Sequence, residues 1–194
     1  MILFIQRPRP MTAASLLSMV LLGAGSAGTV RAAGPVTVTK VAGPEKALRF
    51  EVTVPGSLDE VWAAFTTTDG LATWLWRDTR VDARPGGDWL AIFPQSTAGG
   101  TIVSLTPKTQ LVISALAPDK FPTVREARTH ATFEFATVTP ASTAVTLVQT
   151  GWKTGAEWDA AYEYLAGGNA ALLTQLHQRF ASGPIAWPRH LLKP

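Results

Sequence analysis

The fold is decided by the stretch from Ser57 to Trp89, which reads SLDEVWAAFTTTDGLATWLWRDTRVDARPGGDW. Ser57 followed three residues later by Glu60 is a capping box, which supplies partners for free N–H groups at the start of a helix. Apolar residues then recur at helical spacing, and a second short helix surrounds Gly70. The run RPGG at 84–87 predicts a turn, because proline fixes φ and glycine permits positive φ.

Alternation of apolar and polar residues predicts strands on both sides of this stretch. The clearest strands lie at 46–54 and 128–137, where every second side chain faces one side. The other predicted strands are 77–84, 88–93, 100–105, 110–115 and 142–150, which makes about seven in all. Residues 94–100 and 118–125 are predicted to be loops.

A long helix is predicted near the end of the chain, from about 154 to Ser182. Thr154 and Glu157 form a second capping box. One apolar stripe follows, made of Trp158, Tyr162, Leu165, Leu172 and Leu176. The order of elements predicts an α+β fold, in which an antiparallel sheet with one apolar face wraps around this helix.

These motifs resemble the SRPBCC superfamily (the START-like, helix-grip domains) and, within it, domains similar to the activator of the heat-shock chaperone ATPase. The resemblance rests on Trp62, on the RPGG turn and on the segments THATFE at 129–134 and TLVQTGW at 146–152. It covers about residues 46–182 and implies a hollow interior. Relatives often carry a tryptophan in the middle of the long helix, where this chain has Gly167-Gly168-Asn169. Small residues facing the sheet there would enlarge the cavity.

The first 32 residues predict a cleaved signal peptide. Arg7 and Arg9 precede an apolar core at 16–22, and small residues lead to a cleavage site near Ala32. The apolar run is shorter than the roughly 20 residues of a membrane span, although an uncleaved interfacial anchor and a start at Met11 are alternatives. The protein is therefore expected to be periplasmic or secreted, with a lead-in segment at 33–45 and a tail at 183–194.

Charge and composition exclude several classes of function. Removal of the predicted signal takes away three arginines and leaves 14 basic and 14 acidic side chains. A nucleic-acid partner is not expected, because it would need clustered positive charge, and neither is stable membrane insertion after cleavage. Cysteine is absent and the three histidines show no metal-ligand spacing, so no metal or cofactor is expected. Catalytic residues are also not assigned, because no nucleophile motif is present.

Aromatic residues are the remaining signal, because stacking on indole rings suits an apolar ligand. Gln149 adds a polar group on an apolar strand face, where a buried amide needs a partner. The candidate cavity residues are Trp62, Trp74, Trp76, Phe133, Gln149, Trp152, Tyr162 and Asn169.

The favoured function is binding of a hydrophobic small molecule in an internal cavity by an exported, non-enzymatic protein. One alternative is an enzyme of the polyketide cyclase/dehydratase type, which uses the same hollow fold and needs an acid or base inside it. The other is a protein-interaction module like the chaperone activator, although export separates the protein from a cytosolic chaperone.

The signal peptide is directly testable. N-terminal sequencing of the exported protein should begin within a few residues of Ala33, because the small residues before it suit signal peptidase. Recovery of a chain with intact Met1 in the membrane fraction would show that the apolar segment is an anchor instead.

Overall fold

A computed structural model describes residues 28–31 and 35–187 of the chain. In chain order the strands are β1 (Gly28–Arg31), β2 (Thr37–Val41), β3 (Ala47–Val54), β4 (Thr79–Val81), β5 (Asp88–Phe93), β6 (Ser96–Thr106), β7 (Gln110–Ala115), β8 (Thr129–Thr139) and β9 (Ser142–Thr150). The helices are α1 (Leu58–Thr66), α2 (Thr68–Ala72), α3 (Pro122–Ala127) and α4 (Ala156–Ser182).

The described strands form one antiparallel sheet in the order β1-β2-β3-β9-β8-β7-β6-β5-β4. Strand β3 alternates as expected, with Leu48, Phe50, Val52 and Val54 buried. Its register places Phe50 opposite Leu147 of β9, so the apolar faces of neighbouring strands coincide. Helix α4 packs on this face, and its Leu173 and Leu176 join the same buried cluster. The predicted α+β helix-grip fold is confirmed, with nine strands rather than about seven.

The first two helices, α1 and α2, agree closely with the prediction from the sequence. Ser57 caps α1, and both hydrogen bonds of the capping box with Glu60 are present. The Ser57 hydroxyl also donates to the Glu60 carboxylate at 2.6 Å. This bond is the main cause that lowers the pKa of Glu60, and the bond from the Ser57 backbone N–H adds to it. Helix α2 ends at Ala72 and the chain continues as turns, because the N–H groups of Thr73 and Trp74 donate to carbonyls only three residues earlier.

The second predicted capping box is wrong. Helix α4 begins after Gly155, which makes no side-chain cap. The Glu157 carboxylate instead accepts hydrogen bonds from Thr123 Oγ1 at 2.7 Å and from the backbone N–H of Val124 at 3.1 Å. It therefore caps α3, a helix in a region predicted to be a loop, whose own N-cap residue has no capping side chain.

The predicted stripe and glycine gap on α4 also need correction. Leu173 is fully buried, whereas Leu172 is only half-buried. Gly167 and Gly168 are exposed, and a Cβ added to either would meet nothing within 4 Å. They face away from the sheet, because the helical repeat of 3.6 residues turns only one residue in three or four toward it. Asn169 alone of this trio turns inward.

Two segments predicted to be irregular are strands. The lead-in contains β2, which has Val38 buried within it and Val36 buried just before it, and β6 begins at Ser96 inside the predicted loop 94–100. Gly99 has φ +102°, and a Cβ there would lie 2.0 Å from the Trp89 carbonyl oxygen. Glycine is therefore needed for close strand pairing, and its presence misleadingly indicated a loop.

Both ends of the chain depart from the predicted outline of the domain. Most of the predicted signal peptide lies outside the described residues, but β1 falls inside it and pairs with β2. Cleavage after Ala32 would remove β1 and leave β2 as the edge strand. In the predicted tail, Ile185 donates its N–H to Thr73 O at 2.9 Å, and Trp187 Nε1 donates to Ala72 O at 2.7 Å. Among the described residues, no helix is long and apolar enough to cross a membrane.

Burial of α4 is expected to dominate stability. Leu173→Ala should lower the free energy of unfolding by about 2–5 kcal/mol, because it leaves a void in a packed layer. Leu172→Ala should cost less, since Leu172 is half-buried. Urea denaturation followed by circular dichroism measures both, and equal losses would show that the two side chains are equally packed.

The link between α4 and α3 predicts a pH dependence. The bond from Thr123 is the main cause that holds the pKa of Glu157 below its ordinary value. This contact therefore stabilises the fold above the ordinary pKa of a glutamate, and its contribution is lost as the pH falls through the lowered value. Glu157→Gln should flatten the acid limb of the stability–pH profile in urea titrations. Glu126→Gln, an exposed change on α3, should keep the wild-type profile.

Candidate functional site

A cavity of about 360 Å³ lies between helix α4 and the sheet. Its walls are mostly apolar and come from the α2–β4 connection, from β5 to β9 and from the middle of α4. The side chains that carry most of the wall are Leu75, Trp89, Phe93, Ile113, Phe133, Leu147, Leu165 and Leu172.

Small residues on the sheet side leave this volume open. Ala98 and Gly99 of β6, Ala115 of β7 and Ala131 of β8 line the cavity. A larger side chain at Ala98, Ala115 or Ala131 would project into this volume, whereas Gly99 lines it only with its backbone, because a Cβ there would meet the Trp89 carbonyl oxygen. Small wall residues thus provide the space that small residues on α4 were predicted to provide.

The aromatic wall is held rigid by hydrogen bonds and ring packing. Trp89 is 4% exposed, and its Nε1 donates to Phe65 O at 2.8 Å. Its ring lies 5.8 Å from that of Phe133, centroid to centroid. Phe65 packs behind both rings at 6.3 Å and 5.1 Å. Because these rings are fixed before any ligand enters, little side-chain entropy is lost on binding.

A chain of three polar side chains crosses from the sheet to the helix. Gln149 is 3% exposed and Thr129 is 1% exposed. Gln149 Nε2 donates to Thr129 Oγ1 at 2.8 Å, and Gln149 Oε1 accepts from Asn169 Nδ2 at 2.7 Å. Gln149 and Asn169 both line the cavity. They form a polar spot in a mainly apolar wall.

The mouth of the cavity is formed by the start of β6, the segment before α3 and the exposed face of α4. Tyr164 lines it and is 48% exposed, with Lys120 Nζ 3.4 Å from its ring centroid. Asp119 also lines it and pairs with Arg125 at 3.0 Å. Arg125 donates to Thr97 Oγ1 at 3.2 Å, which ties α3 to β6 beside the opening.

Of the eight candidate cavity residues, Phe133, Gln149 and Asn169 line this cavity. Trp62, Trp74 and Trp76 do not. Trp74 is fully buried and donates Nε1 to Ala64 O at 2.9 Å. Trp62 packs edge-on against Phe135 at 5.3 Å. Their placement at the cavity was wrong because each ring is taken up by other packing: Trp74 against α1, Trp62 against β8, and Trp76 behind the cavity wall.

The other two candidates, Trp152 and Tyr162, lie on a second aromatic cluster outside the cavity. Trp152 Nε1 donates to Gln149 O at 3.0 Å, and its ring meets Tyr162 edge-on at 5.0 Å. The Tyr162 hydroxyl donates to Ala47 O at 2.9 Å. Burial, with a smaller contribution from the Glu163 charge, raises the pKa of Tyr162, so it stays a donor. This cluster fixes the end of β9 that positions Gln149.

Trp76 packs against Phe93, which does line the cavity, at 4.8 Å, and against Trp187 at 5.2 Å.

Trp89 is the principal wall residue missing from the sequence prediction. Its position directly after the RPGG turn, on a strand that alternates apolar and polar residues, was the available signal. Within residues 28–31 and 35–187, no cluster of three or more histidine, aspartate or glutamate residues could hold a metal.

Solved structures with similar folds come from several bacteria. The Aha1 dimer from Colwellia psychrerythraea is 19% identical, with a TM-score of 0.58 over 71% of this chain and 97% of that one. A protein from Mesorhizobium loti is 17% identical, with a TM-score of 0.59 over 72% and 99%. CalU16 from Micromonospora echinospora is 17% identical, with a TM-score of 0.54 over 83% and 87%. Identities this low show the fold alone.

No curated protein matches the chain. A family model does match, over residues 56–181, which is more than half of the sequence and spans α1 to the end of α4. The fold suggests a domain that binds a ligand or a partner. By this match the chain belongs to the family described as Activator of Hsp90 ATPase homolog 1-like protein.

Proposed function

We propose that the protein is an exported, non-enzymatic carrier or receptor that binds a hydrophobic small molecule between α4 and the sheet. The observation that carries this proposal is the cavity of about 360 Å³ with a rigid aromatic wall. Ligand pockets in proteins typically have volumes of about 300–1,000 Å³ and mainly apolar walls.

The chemistry of the wall favours an apolar ligand. Trp89, Phe133 and Leu147 are 4% exposed or less, yet each faces the cavity. A ligand that covers such side chains gains roughly 25 cal/mol for each Å² of apolar surface removed from water. Entry is through the mouth beside Tyr164, where the wall is open to solvent.

The polar groups of the cavity suit orientation better than proton transfer. Gln149 and Asn169 are amides, which neither gain nor lose a proton near neutral pH and so cannot serve as the acid or base of a reaction. The ionisable side chains that line the cavity are Asp119 and Tyr164, and both stand at the mouth. Asp119 is already paired with Arg125. This supports binding over the cyclase/dehydratase alternative.

The interaction-module alternative would need an apolar docking surface. In the described part of the chain, the large exposed apolar side chains are Val103, Val138 and Tyr164, on β6, β8 and α4 respectively. Single exposed residues on separate elements are normal for a protein surface. The internal cavity is therefore the better supported binding site.

A neutral fluorescent probe, N-phenyl-1-naphthylamine, tests the proposal. The full chain should bind it saturably, with transfer of excitation from Trp89. Ala131→Phe should weaken binding at least about tenfold, or about 1.4 kcal/mol, because the new ring fills the cavity. Ala136→Phe, the same change at an exposed position on the same strand, should leave the affinity unchanged.

Near-ultraviolet circular dichroism must show that both variants keep native packing, since partly folded proteins also bind apolar dyes. Equal affinity of the wild type and a folded Ala131→Phe variant would place the probe elsewhere and contradict the proposal.

A further inference from the structure

We infer that the cavity selects an uncharged ligand with an apolar body and one hydroxyl group, which hydrogen-bonds to Asn169. This rests on the proposed function and adds the class of ligand. Two observations support it: Asn169 has polar atoms that its hydrogen bond to Gln149 leaves unused, and the cavity wall lacks a described positive charge.

Asn169 has hydrogen-bonding capacity that the described residues do not use. A side-chain amide offers two N–H donors and a carbonyl oxygen acceptor. The contact with Gln149 Oε1 uses one donor, and Oδ1 makes no hydrogen bond within the described residues. A hydroxyl group can donate to Oδ1 and accept from Nδ2, so one such group satisfies both.

Gln149 fixes the position of Asn169. Its Oε1 is committed to Asn169 and its Nε2 to Thr129, and the Trp152 indole holds the Gln149 backbone at 3.0 Å. A half-buried asparagine held in this way keeps its orientation without a ligand. Its free groups are then ready for a ligand group at one place in an otherwise apolar wall.

Charge argues against an anionic or cationic head group inside the cavity. Lysine, arginine and histidine are absent from the described residues that line it, so a buried carboxylate or phosphate would lack a countercharge. Burying an unpaired ion costs far more than burying a hydroxyl. Two cations lie beside the mouth. Lys120 is exposed and lies over the Tyr164 ring, and Arg125 contacts the lining residues Asp119 and Thr97 from outside the cavity. The single carboxylate of the wall, Asp119, is paired with Arg125.

Three probes with one apolar body test this inference: naphthalene, 2-naphthol and 2-naphthoate. At neutral pH the wild type should bind 2-naphthol about threefold to tenfold more tightly than naphthalene, as expected for one net hydrogen bond. It should bind 2-naphthoate more weakly than either. Isothermal titration calorimetry gives the three affinities.

Asn169→Leu should abolish the advantage of 2-naphthol and leave naphthalene binding in place. Gln178→Leu, which changes an exposed amide on the same helix, should preserve the wild-type ratio. The double variant Gln149→Leu with Asn169→Leu removes the carbonyl that the single variant leaves unpaired, and it provides the same comparison should the single variant fail to fold.

The outcomes separate the two proposals. Absence of binding by naphthalene and by 2-naphthol would overturn the proposed cavity function and this inference with it. Binding of naphthalene with no preference for 2-naphthol, or a preference that survives in the Asn169 variants, would overturn the inference alone. Tightest binding of 2-naphthoate would also overturn it, and would indicate that the head group pairs with Lys120 or Arg125 at the mouth.

Discussion

The packing of α4 onto the concave face of the sheet is the constraint on which the rest of the structure depends. Leu173 and Leu176 are fully buried against β3 and its neighbours, and their burial fixes the rotation of the whole helix. That rotation turns Gly167 and Gly168 outward and Asn169 inward. The same helix contributes Leu165 and Leu172 to the cavity, so one packing contact determines both the stability of the domain and the shape of its interior.

The polar chain from Thr129 through Gln149 to Asn169 adds a second link between sheet and helix. Buried amides are costly unless they are paired, and each bond in this chain connects different elements. These hydrogen bonds therefore fix the distance between α4 and strands β8 and β9 at the position of Asn169. Apolar side chains at these three positions would lack the directional constraint that hydrogen bonds impose. The side chains that give this positional specificity are thus the same ones that we propose to bind a ligand hydroxyl.

The aromatic residues divide into two groups with different tasks. Trp74 and Phe65 are fully buried and hold the α1–α2 pair against the sheet. Trp89 and Phe133 continue that packing up to the cavity surface. Rings that are fixed from behind present a preformed wall, whereas a ring with space on both sides would adjust to each ligand. If the proposed ligand binds here, such a wall would select it by shape, since a rigid wall cannot close around a molecule that does not fit.

The sequence by itself determined the order of elements, the capping of α1, the buried faces of β3 and β8, and the family resemblance. All depend on local chemistry or on periodicity, which neighbouring residues carry. It also indicated three cavity residues: Phe133 as an aromatic residue on an apolar strand face, Gln149 as a polar residue on such a face, and Asn169 through the departure from the relatives in the middle of the long helix. Tertiary structure alone decided that Glu157 caps α3, that Gly99 lies within a strand, and that Trp89 rather than Trp152 lines the cavity. Each of these depends on contacts between residues far apart in the chain, and such contacts leave no local pattern to read.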